Sequence, residues 1–318
     1  LMEALEADFA IVCPAFPGAG RTIYQGHLFV GDALLSDSPM KDHPLTPMRE
    51  SNLMRLMGAQ TPRRVALVPY ATVASGATAT ASAMAALRDA GVSYGVVDAI
   101  TDRDLETIGA AVADHPLVTG GSGVARGLPA NFRRAGLLGA VTRATAPRVA
   151  GRAAVLAGSC SRATRAQIAL ARGAWPHLKL DAHRIAAGEP VVEEVLAWAS
   201  TQPDSAPVLV YGSADPDEVA AIQARYGRAR ASAMIEDALG RIARGLVAAG
   251  TRRLIVAGGE TAGAVVSALG VRGLGIGVEI DPGVPWTETL DEPRLALALK
   301  SGNFGAEDFF MKALRMLP

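Results

Sequence analysis

Three glycine-rich stretches with hydroxyl side chains are the part of the sequence best suited to binding an anion. Each follows a short apolar run and precedes a helical pattern of small residues: VTGGSGVARG (118–127), LAGSCSRATR (156–165) and VAGGETAGA (256–264). Backbone N–H groups at the start of a helix can bind phosphate, and glycine lets a ligand approach them closely. Tight strand-to-helix geometry alone also accounts for glycine in such a turn. For any single turn, both interpretations stay open.

The second and third stretches together favour a nucleotide site. None of the three matches G-x-x-x-x-G-K-[ST] or G-x-G-x-x-G, which disfavours a P-loop NTPase and an ordinary NAD enzyme. Parallel strands would bring the two later turns to one sheet edge. Glu260 points to function, because a carboxylate beside phosphate is repelled unless Mg²⁺ lies between them or the side chain turns to the sugar. Thr261 either caps the helix or donates its hydroxyl to phosphate.

Two cationic residues follow or precede similar turns. Lys300, in LALKSGNFGAEDFF (297–310), could neutralise phosphate charge or be a solvated lysine at a strand end. Arg21, in the loop CPAFPGAGRT, suits a carboxylate ligand, and a surface-loop role is the alternative. The five histidines show no metal spacing, and no base can be paired with Ser159 or Ser161 beside Cys160. The sequence therefore identifies no catalytic residue and no metal ligand.

Composition limits the partners. Of 318 residues, 50% are hydrophobic and 19% charged, and Lys+Arg and Asp+Glu balance at 31 each. The balanced charge and the 5% aromatic content give no reason to expect nucleic acid or an anionic membrane as partner. Two cysteines exclude a disulfide framework, and no apolar run reaches the roughly 20 residues of a membrane span. These features predict a soluble cytoplasmic protein.

Apolar strands alternate with helices along the whole chain. This pattern predicts an α/β fold with two doubly wound, mostly parallel lobes and the active site in the cleft between them. Residues 133–150 lack clean periodicity, so we predict domains at 1–145 and 146–318. Within them we predict a helix in 43–59 capped by Thr46 with Pro47 next, a helix capped by Thr101, and one long helical region over 217–249.

The order of several long blocks resembles the four-carbon acid sugar kinase family, and within it the 3-oxo-tetronate kinases. The blocks are VCPAFPGAGRTIYQGHLFVG, HPLTPMRESNLMRLM, VTGGSG, LAGSCS, VAGGETAGAV, EIDPGVPW and LKSGNFG. The resemblance implies a sugar-acid-binding N-terminal domain and a nucleotide-binding C-terminal domain. It implies that ATP, with Mg²⁺, phosphorylates the terminal (4-) hydroxyl of a four-carbon acid. That acid would be 3-oxo-tetronate, with D-threonate or D-erythronate as alternatives.

The resemblance also implies roles for individual residues. Nucleotide contacts would come from three turns, namely Gly158, Ser159, Ser161, Gly258, Gly259, Glu260, Thr261, Ser301, Gly302 and Asn303. The sugar acid would contact the first domain at Arg21, Gly120, Gly121, Ser122 and Gly123. Asp281, in EIDPGVPW, would assist Mg²⁺.

One departure from the family is a missing motif. Family members open with a strand bearing D-D-x-T-G, and nothing here matches it. We therefore expect a chain that lacks its N-terminal part, with an uncovered sheet edge that favours association, as in a homodimer. A nucleotide-binding module without catalysis is then one rival function. An oxidoreductase with an unusual dinucleotide loop is another, weakened by the absence of a dinucleotide fingerprint.

Overall fold

The computed structural model describes residues 1–42, 46–140 and 143–318, and the chain divides into two compact units, Leu1–Thr142 and Arg143–Pro318. No helix of the described residues is long and apolar enough to cross a membrane. Each unit is built around its own sheet, as the predicted α/β class requires. The two units are described in turn.

The first unit contains a parallel sheet and a small antiparallel sheet. Its strands are β1 (Ala10–Cys13), β2 (Arg21–Tyr24), β3 (His27–Val30), β4 (Ala33–Leu34), β5 (Val65–Val68), β6 (Tyr94–Val97) and β7 (Val118–Gly120). Its helices are α1 (Leu53–Gly58), α2 (Tyr70–Ala74), α3 (Ala77–Asp89), α4 (Asp102–Ala111) and α5 (Pro129–Arg134), with 3-10 helices at Glu3–Leu5, Pro17–Ala19, Leu35–Asp37, Pro39–Asp42 and Ser122–Gly127. The parallel sheet has the order β5-β6-β1-β7, and β2-β3-β4 are antiparallel.

The predicted helix starts in this unit have different outcomes. Thr101 is confirmed as a cap, because its hydroxyl accepts from the Asp104 amide at 3.3 Å while Asp104 accepts from the Thr101 amide at 2.7 Å. The start at Thr46 and Pro47 is wrong: α1 begins at Leu53, and Asn52 caps it by accepting from the Arg55 amide. Residues 43–45 of the predicted segment lie outside the described residues.

Contacts with a distant part of the chain explain why α1 starts later than predicted. The Leu28 amide donates to the Ser51 carbonyl at 2.9 Å, and the Leu53 amide donates to the Gly26 carbonyl at 2.9 Å. Residues 51–53 therefore pair with the β2–β3 hairpin, which holds the chain extended up to Asn52. This hairpin was not predicted, and the loop CPAFPGAGRT includes only its first two residues, Arg21 and Thr22.

The second unit is one seven-stranded sheet flanked by helices. Its strands are β8 (Arg152–Ala157), β9 (His177–Lys179), β10 (Val208–Tyr211), β11 (Thr251–Ala257), β12 (Leu274–Asp281), β13 (Val284–Thr289) and β14 (Ala296–Lys300). Its helices are α6 (Arg162–Arg172), α7 (Ala182–Ala186), α8 (Val191–Ser200), α9 (Pro216–Tyr226), α10 (Arg228–Ala248), α11 (Gly259–Leu269) and α12 (Phe309–Arg315). The order is β12-β13-β14-β11-β8-β10-β9, parallel from β14 to β9, with an antiparallel β12–β13 hairpin at one edge. The long helical region predicted over 217–249 is two helices, which meet at Gly227 with a positive φ of 81°.

The connections that leave β8 and β11 run to opposite faces of this sheet. Ile168 of α6 belongs to the apolar core on one face, with Val155 of β8. Val265 of α11 belongs to the core on the other face, with Leu156 of β8. Because β8 and β11 are neighbours, the point between them is a topological switch point. Open α/β sheets bind ligands in the crevice that opens there, beyond the carboxyl ends of the strands.

Candidate functional site

The turns GSCS, GGET and SGN lie side by side at the carboxyl edge of the second sheet, because β8, β11 and β14 are neighbours in it. The Gly158 amide donates to the Ala257 carbonyl at 3.0 Å, which joins the turn after β8 to the end of β11. The Gly258 amide donates to the Lys300 carbonyl at 2.9 Å, which joins the turn after β11 to the end of β14. The structure therefore brings together all ten residues predicted to contact nucleotide.

Side chains of α6 hold the turn that follows β14. The Ser161 and Thr164 hydroxyls both donate to the Gly302 carbonyl, at 2.6 and 2.9 Å. The Gln167 amide nitrogen lies 2.9–3.1 Å from the carbonyl oxygens of Phe304, Gly305 and Ala306. Ser161 also caps α6 by accepting from the Thr164 amide at 3.2 Å. Neither Thr164 nor Gln167 was predicted, although residues 161, 164 and 167 are spaced to share one helix face.

Packing or backbone conformation explains why glycine is needed at three of the four glycine positions in these turns. A Cβ on Gly158 would collide with the Thr261 hydroxyl, and one on Gly302 would collide with the Ser159 hydroxyl. Gly258 has φ +132°, which side chains rarely adopt. Gly259 differs, because it is exposed and a Cβ there would have no atom within 4 Å. No internal contact requires glycine at 259, so the open space it leaves is available to a ligand.

Thr261 and Glu260 take different positions in the first turn of α11. Thr261 is 3% exposed and does not cap the helix, whose N-cap is Gly258; its side chain fills the space left by Gly158. Glu260 is exposed near Glu236 of α10. Burial and, to a smaller extent, the charge of Glu260 raise the pKa of Glu236. Two carboxylates therefore share this edge, and the described residues contain no group of three or more potential metal ligands.

Lys300 is a buried lysine rather than a solvated strand-end residue. It is 1% exposed, and its ammonium donates to the Thr164 hydroxyl at 2.9 Å and to the Gly302 carbonyl at 3.1 Å. Burial lowers its pKa from 10.5 to about 7. Its charge therefore changes near neutral pH, directly beneath the turn at 301–303.

Two further residues at this edge have structural partners. Burial raises the pKa of the Cys160 thiol, and its sulfur accepts from the Ala214 amide at 3.4 Å, which fits a packed thiol rather than a nucleophile. Asp281 accepts from the Ala306 amide at 2.9 Å with one oxygen and pairs with Lys312 through the other. Both carboxylate oxygens of Asp281 are therefore engaged in anchoring the segment after β14, and we do not assign it to Mg²⁺.

The residues predicted to contact the sugar acid converge on one segment of the first unit. Arg21 pairs with Phe16 through two backbone hydrogen bonds, of 2.8 and 3.0 Å. It is half-buried, and burial lowers the pKa of its guanidinium. A Cβ on Gly123 would lie 2.9 Å from Phe16 Cα, and one on Gly121 would lie 3.1 Å from the Pro14 carbonyl.

Close packing against β1 and the chain after it therefore explains the glycine type in the turn at 120–123. Gly120 lies beside the carboxyl end of β1, where a Cβ would collide with the Cys13 carbonyl. Ser122 is exposed at the start of the following 3-10 helix.

Asp98 is a buried carboxylate that the sequence-based predictions missed. It follows β6, is fully buried, and accepts from the amides of Gln25 and Gly26 at 2.8 Å and of Tyr70 at 3.0 Å. Burial raises its pKa, although these hydrogen bonds oppose the rise. Asp98 thereby ties the β2–β3 turn to the carboxyl ends of β5 and β6. An acidic residue directly after the apolar run YGVV was the signal that could have identified it.

Comparison with known proteins identifies the family. Residues 1–128 match the model of a sugar-binding N-terminal domain, and residues 154–310 match that of a nucleotide-binding C-terminal domain. A curated 3-oxo-tetronate kinase from Cupriavidus necator is 55% identical over 320 residues, which cover 100% of this chain and 73% of the relative. This chain belongs to the four-carbon acid sugar kinase family. A second 3-oxo-tetronate kinase, from Burkholderia multivorans, is 54% identical over 318 residues, covering 100% of this chain and 74% of the relative.

A solved structure supports the same fold for the family. A crystal structure of a protein from Salmonella typhimurium LT2 has a TM-score of 0.78 and 41% sequence identity, covering 100% of this chain and 75% of that one. In this four-carbon acid sugar kinase, the nucleotide-binding match contains all three turns of the second sheet. The sugar-binding match contains Arg21, the turn at 120–123 and Asp98.

Proposed function

We propose that this chain is an ATP-dependent kinase that phosphorylates the 4-hydroxyl of 3-oxo-tetronate. In this proposal residues 1–145 bind the sugar acid and residues 146–318 bind the nucleotide. The observation that carries it is that three turns with glycine and hydroxyl residues lie together at a switch point of the sheet. The identity of 55% over the whole chain with a 3-oxo-tetronate kinase supports the choice of substrate.

The nucleotide phosphates would bind where α6 and α11 begin. Both helices start at this sheet edge, and helix N-termini favour negative charge through their unpaired N–H groups. The open space at Gly259 gives a phosphate access to the first turn of α11. Ser159, Ser301 and Asn303 supply polar groups on the neighbouring turns. In the first domain, the Arg21 guanidinium would bind the carboxylate of the sugar acid.

Magnesium would be held at the same edge by Glu260, with Glu236 beside it. The donor set fits, because Mg²⁺ in kinase sites binds one or two carboxylates together with substrate phosphates. Burial and, to a smaller extent, the charge of Glu260 raise the pKa of Glu236, so the two carboxylates interact electrostatically and a cation bound at Glu260 would also attract Glu236. When bound, the ion would neutralise charge on the transferring phosphoryl group. The protein's own contribution would be positioning and electrostatic stabilisation.

The test is a kinase assay with a matched pair of variants. The purified chain is incubated with ATP, MgCl₂ and 3-oxo-tetronate, ADP release is followed by a coupled assay, and ³¹P NMR identifies the product. D-Threonate and D-erythronate are run in parallel. Gly259→Asp puts a carboxylate at an exposed helix start, where the fold tolerates it and the helix dipole favours it, but where it repels phosphate. Gly259→Asn has the same shape without the charge.

We expect a 4-phosphate product with 3-oxo-tetronate, a large rise in the KM for ATP in Gly259→Asp, and a much smaller one in Gly259→Asn. Faster turnover of D-threonate or D-erythronate would show that the proposed substrate is wrong, while the proposed kinase activity would stand. ATP binding without any phosphorylated acid would favour a nucleotide-binding module. An unchanged KM for ATP in Gly259→Asp would remove this turn from the site.

A further inference from the structure

Lys300 is a buried cation whose hydrogen-bond partners are both neutral. Its ammonium contacts one hydroxyl, that of Thr164, and one carbonyl, that of Gly302. Within the described residues it forms no ion pair. A buried charge without a counter-ion costs several kcal/mol in proteins, by general estimates, unless the group becomes neutral. Lys300, at the end of β14, is therefore favoured as a neutral amine unless an anion from outside the chain offsets its charge.

The surrounding elements supply no counter-charge. The charged side chains around this end of β14 are Arg162 and Arg165 of α6, Glu260 of α11, Asp281 of β12, Glu307 and Asp308 before α12, and Lys312 and Arg315 of α12. Asp308 is paired with Arg315. Asp281 is paired with Lys312. Burial alone accounts for the lowered pKa of Lys300, with no charged neighbour contributing.

The position of Lys300 makes an anion the natural partner. Thr164, which accepts from the ammonium, lies in the first turn of α6, and a cation at a helix N-terminus is disfavoured by the helix dipole. The Nε of Arg165, one residue further along α6, is buried and has no hydrogen-bond partner among the described residues. Two cationic side chains thus lie at a helix end that already favours negative charge. An anion bound at this end would be stabilised by the helix N-terminus and by the positive charge of both side chains.

We propose that Lys300 is a positioning residue of the nucleotide site, whose buried ammonium is the counter-charge for a phosphate group bound at the N-terminus of α6. This inference rests on the proposed function, since the phosphate is that of ATP. Lys300 acts through the Gly302 carbonyl and the Thr164 hydroxyl, which it holds in place for the turn at 301–303. The phosphate in turn keeps Lys300 protonated.

Proton uptake on nucleotide binding is the measurable consequence. With a pKa of about 7, Lys300 is roughly 90% neutral at pH 8 before binding. A bound phosphate raises the lysine pKa again, because an opposite charge favours the charged form. When the phosphate returns the pKa of Lys300 to its ordinary value of 10.5, binding at pH 8 draws about 0.9 of a proton from the buffer onto Lys300. The terminal phosphate of ATP is already ionised at this pH, since its pKa is near 6, and so it does not mask the uptake.

Calorimetry measures this uptake directly. ATP with MgCl₂, without sugar acid, is titrated into the full chain at pH 8 in Tris and in Hepes, whose ionisation enthalpies differ. The difference between the two observed enthalpies gives the number of protons bound. Lys300→Met and Lys300→Arg are compared with the wild type. Lys179→Met is the matched control, because Lys179 ends β9 on the same sheet but is exposed and paired with Glu218.

The expected pattern separates the variants. Wild type and Lys179→Met should take up close to one proton. Lys300→Met should take up none and bind ATP about tenfold to a hundredfold more weakly, the range for a hydrogen bond to a charged group. Lys300→Arg should bind ATP without uptake, because arginine is already charged. If circular dichroism shows that Lys300→Met does not fold, the comparison of proton uptake by the wild type and by Lys300→Arg tests the proposal.

Two results would overturn the proposal. ATP binding by the wild type without proton uptake, or uptake that persists in Lys300→Met or Lys300→Arg, would remove Lys300 from the site while leaving the kinase assignment intact. A wild type that does not bind ATP at all would instead refute the proposed function on which this inference rests.

Discussion

Gly158→Ala tests whether the glycine at position 158, in the turn GSCS, is required by packing. The added Cβ would collide with the Thr261 hydroxyl and lie 3.2 Å from Leu239 Cδ1, both in a buried region. Overpacking a buried site by one methyl group typically costs about 1–3 kcal/mol. Gly259→Ala is the matched control, since its Cβ would meet no atom within 4 Å. Its effect on the free energy of unfolding should stay within about 0.5 kcal/mol.

A double-mutant cycle identifies the collision partner. Thr261→Ala removes the hydroxyl and leaves the Cβ of residue 261, which lies 3.4 Å from the new methyl group, an ordinary contact distance. Adding Gly158→Ala to Thr261→Ala should therefore cost at least about 1 kcal/mol less than adding it to the wild type. Urea unfolding followed by tryptophan fluorescence suits the measurement, because the three tryptophans, Trp175, Trp198 and Trp286, all lie in the second unit. Equal costs for Gly158→Ala and Gly259→Ala, or no relief in the double mutant, would refute the packing argument.

Two further predictions concern the first unit. Asp98→Asn should destabilise this unit by roughly 1–3 kcal/mol for each backbone donor left unpaired. The loss should be measurable as faster hydrogen exchange in residues 21–30, and unchanged exchange would contradict the anchoring role. Because burial raises the pKa of Asp98, the folded state binds its proton more readily, so this residue stabilises the wild type more as the pH falls, and the variant should lose that dependence. Thr101→Ala should cost about 0.5–2 kcal/mol and speed exchange at the start of α4, whereas Thr101→Ser should not.

The placement of the turns GSCS and GGET at one edge was predictable from the sequence. GSCS and GGET each follow an uninterrupted apolar run, and such runs form parallel strands whose carboxyl ends share an edge. The cap at Thr101 was equally local, because both partners of its capping box lie within four residues. The prediction of where α1 starts was wrong for the opposite reason. Its start depends on the pairing of Ser51 and Leu53 with the β2–β3 hairpin, which is distant in sequence.

The environment of Lys300 could not be predicted from the sequence. A lysine that ends a strand is exposed or buried according to what packs over it, and here Thr164 lies 136 positions earlier in the chain. Gln167 is likewise 137 to 139 positions from the carbonyl oxygens it contacts. No local pattern records such pairs. The resemblance of SGN to a family block indicated the turn but not the side chains that hold it.

These long-range bonds also bear on how the site would bind nucleotide. Ser161, Thr164 and Gln167 fix the backbone of residues 302–306 through hydrogen bonds internal to the chain, so ordering this turn should take little from the binding energy. Gly259 and Glu260, by contrast, are exposed at the start of α11. The fixed turn is therefore suited to setting the position of a phosphate, and the exposed one to admitting it. In this arrangement Lys300 lies beneath the fixed turn, and the proposal is that its protonation state changes when the phosphate binds.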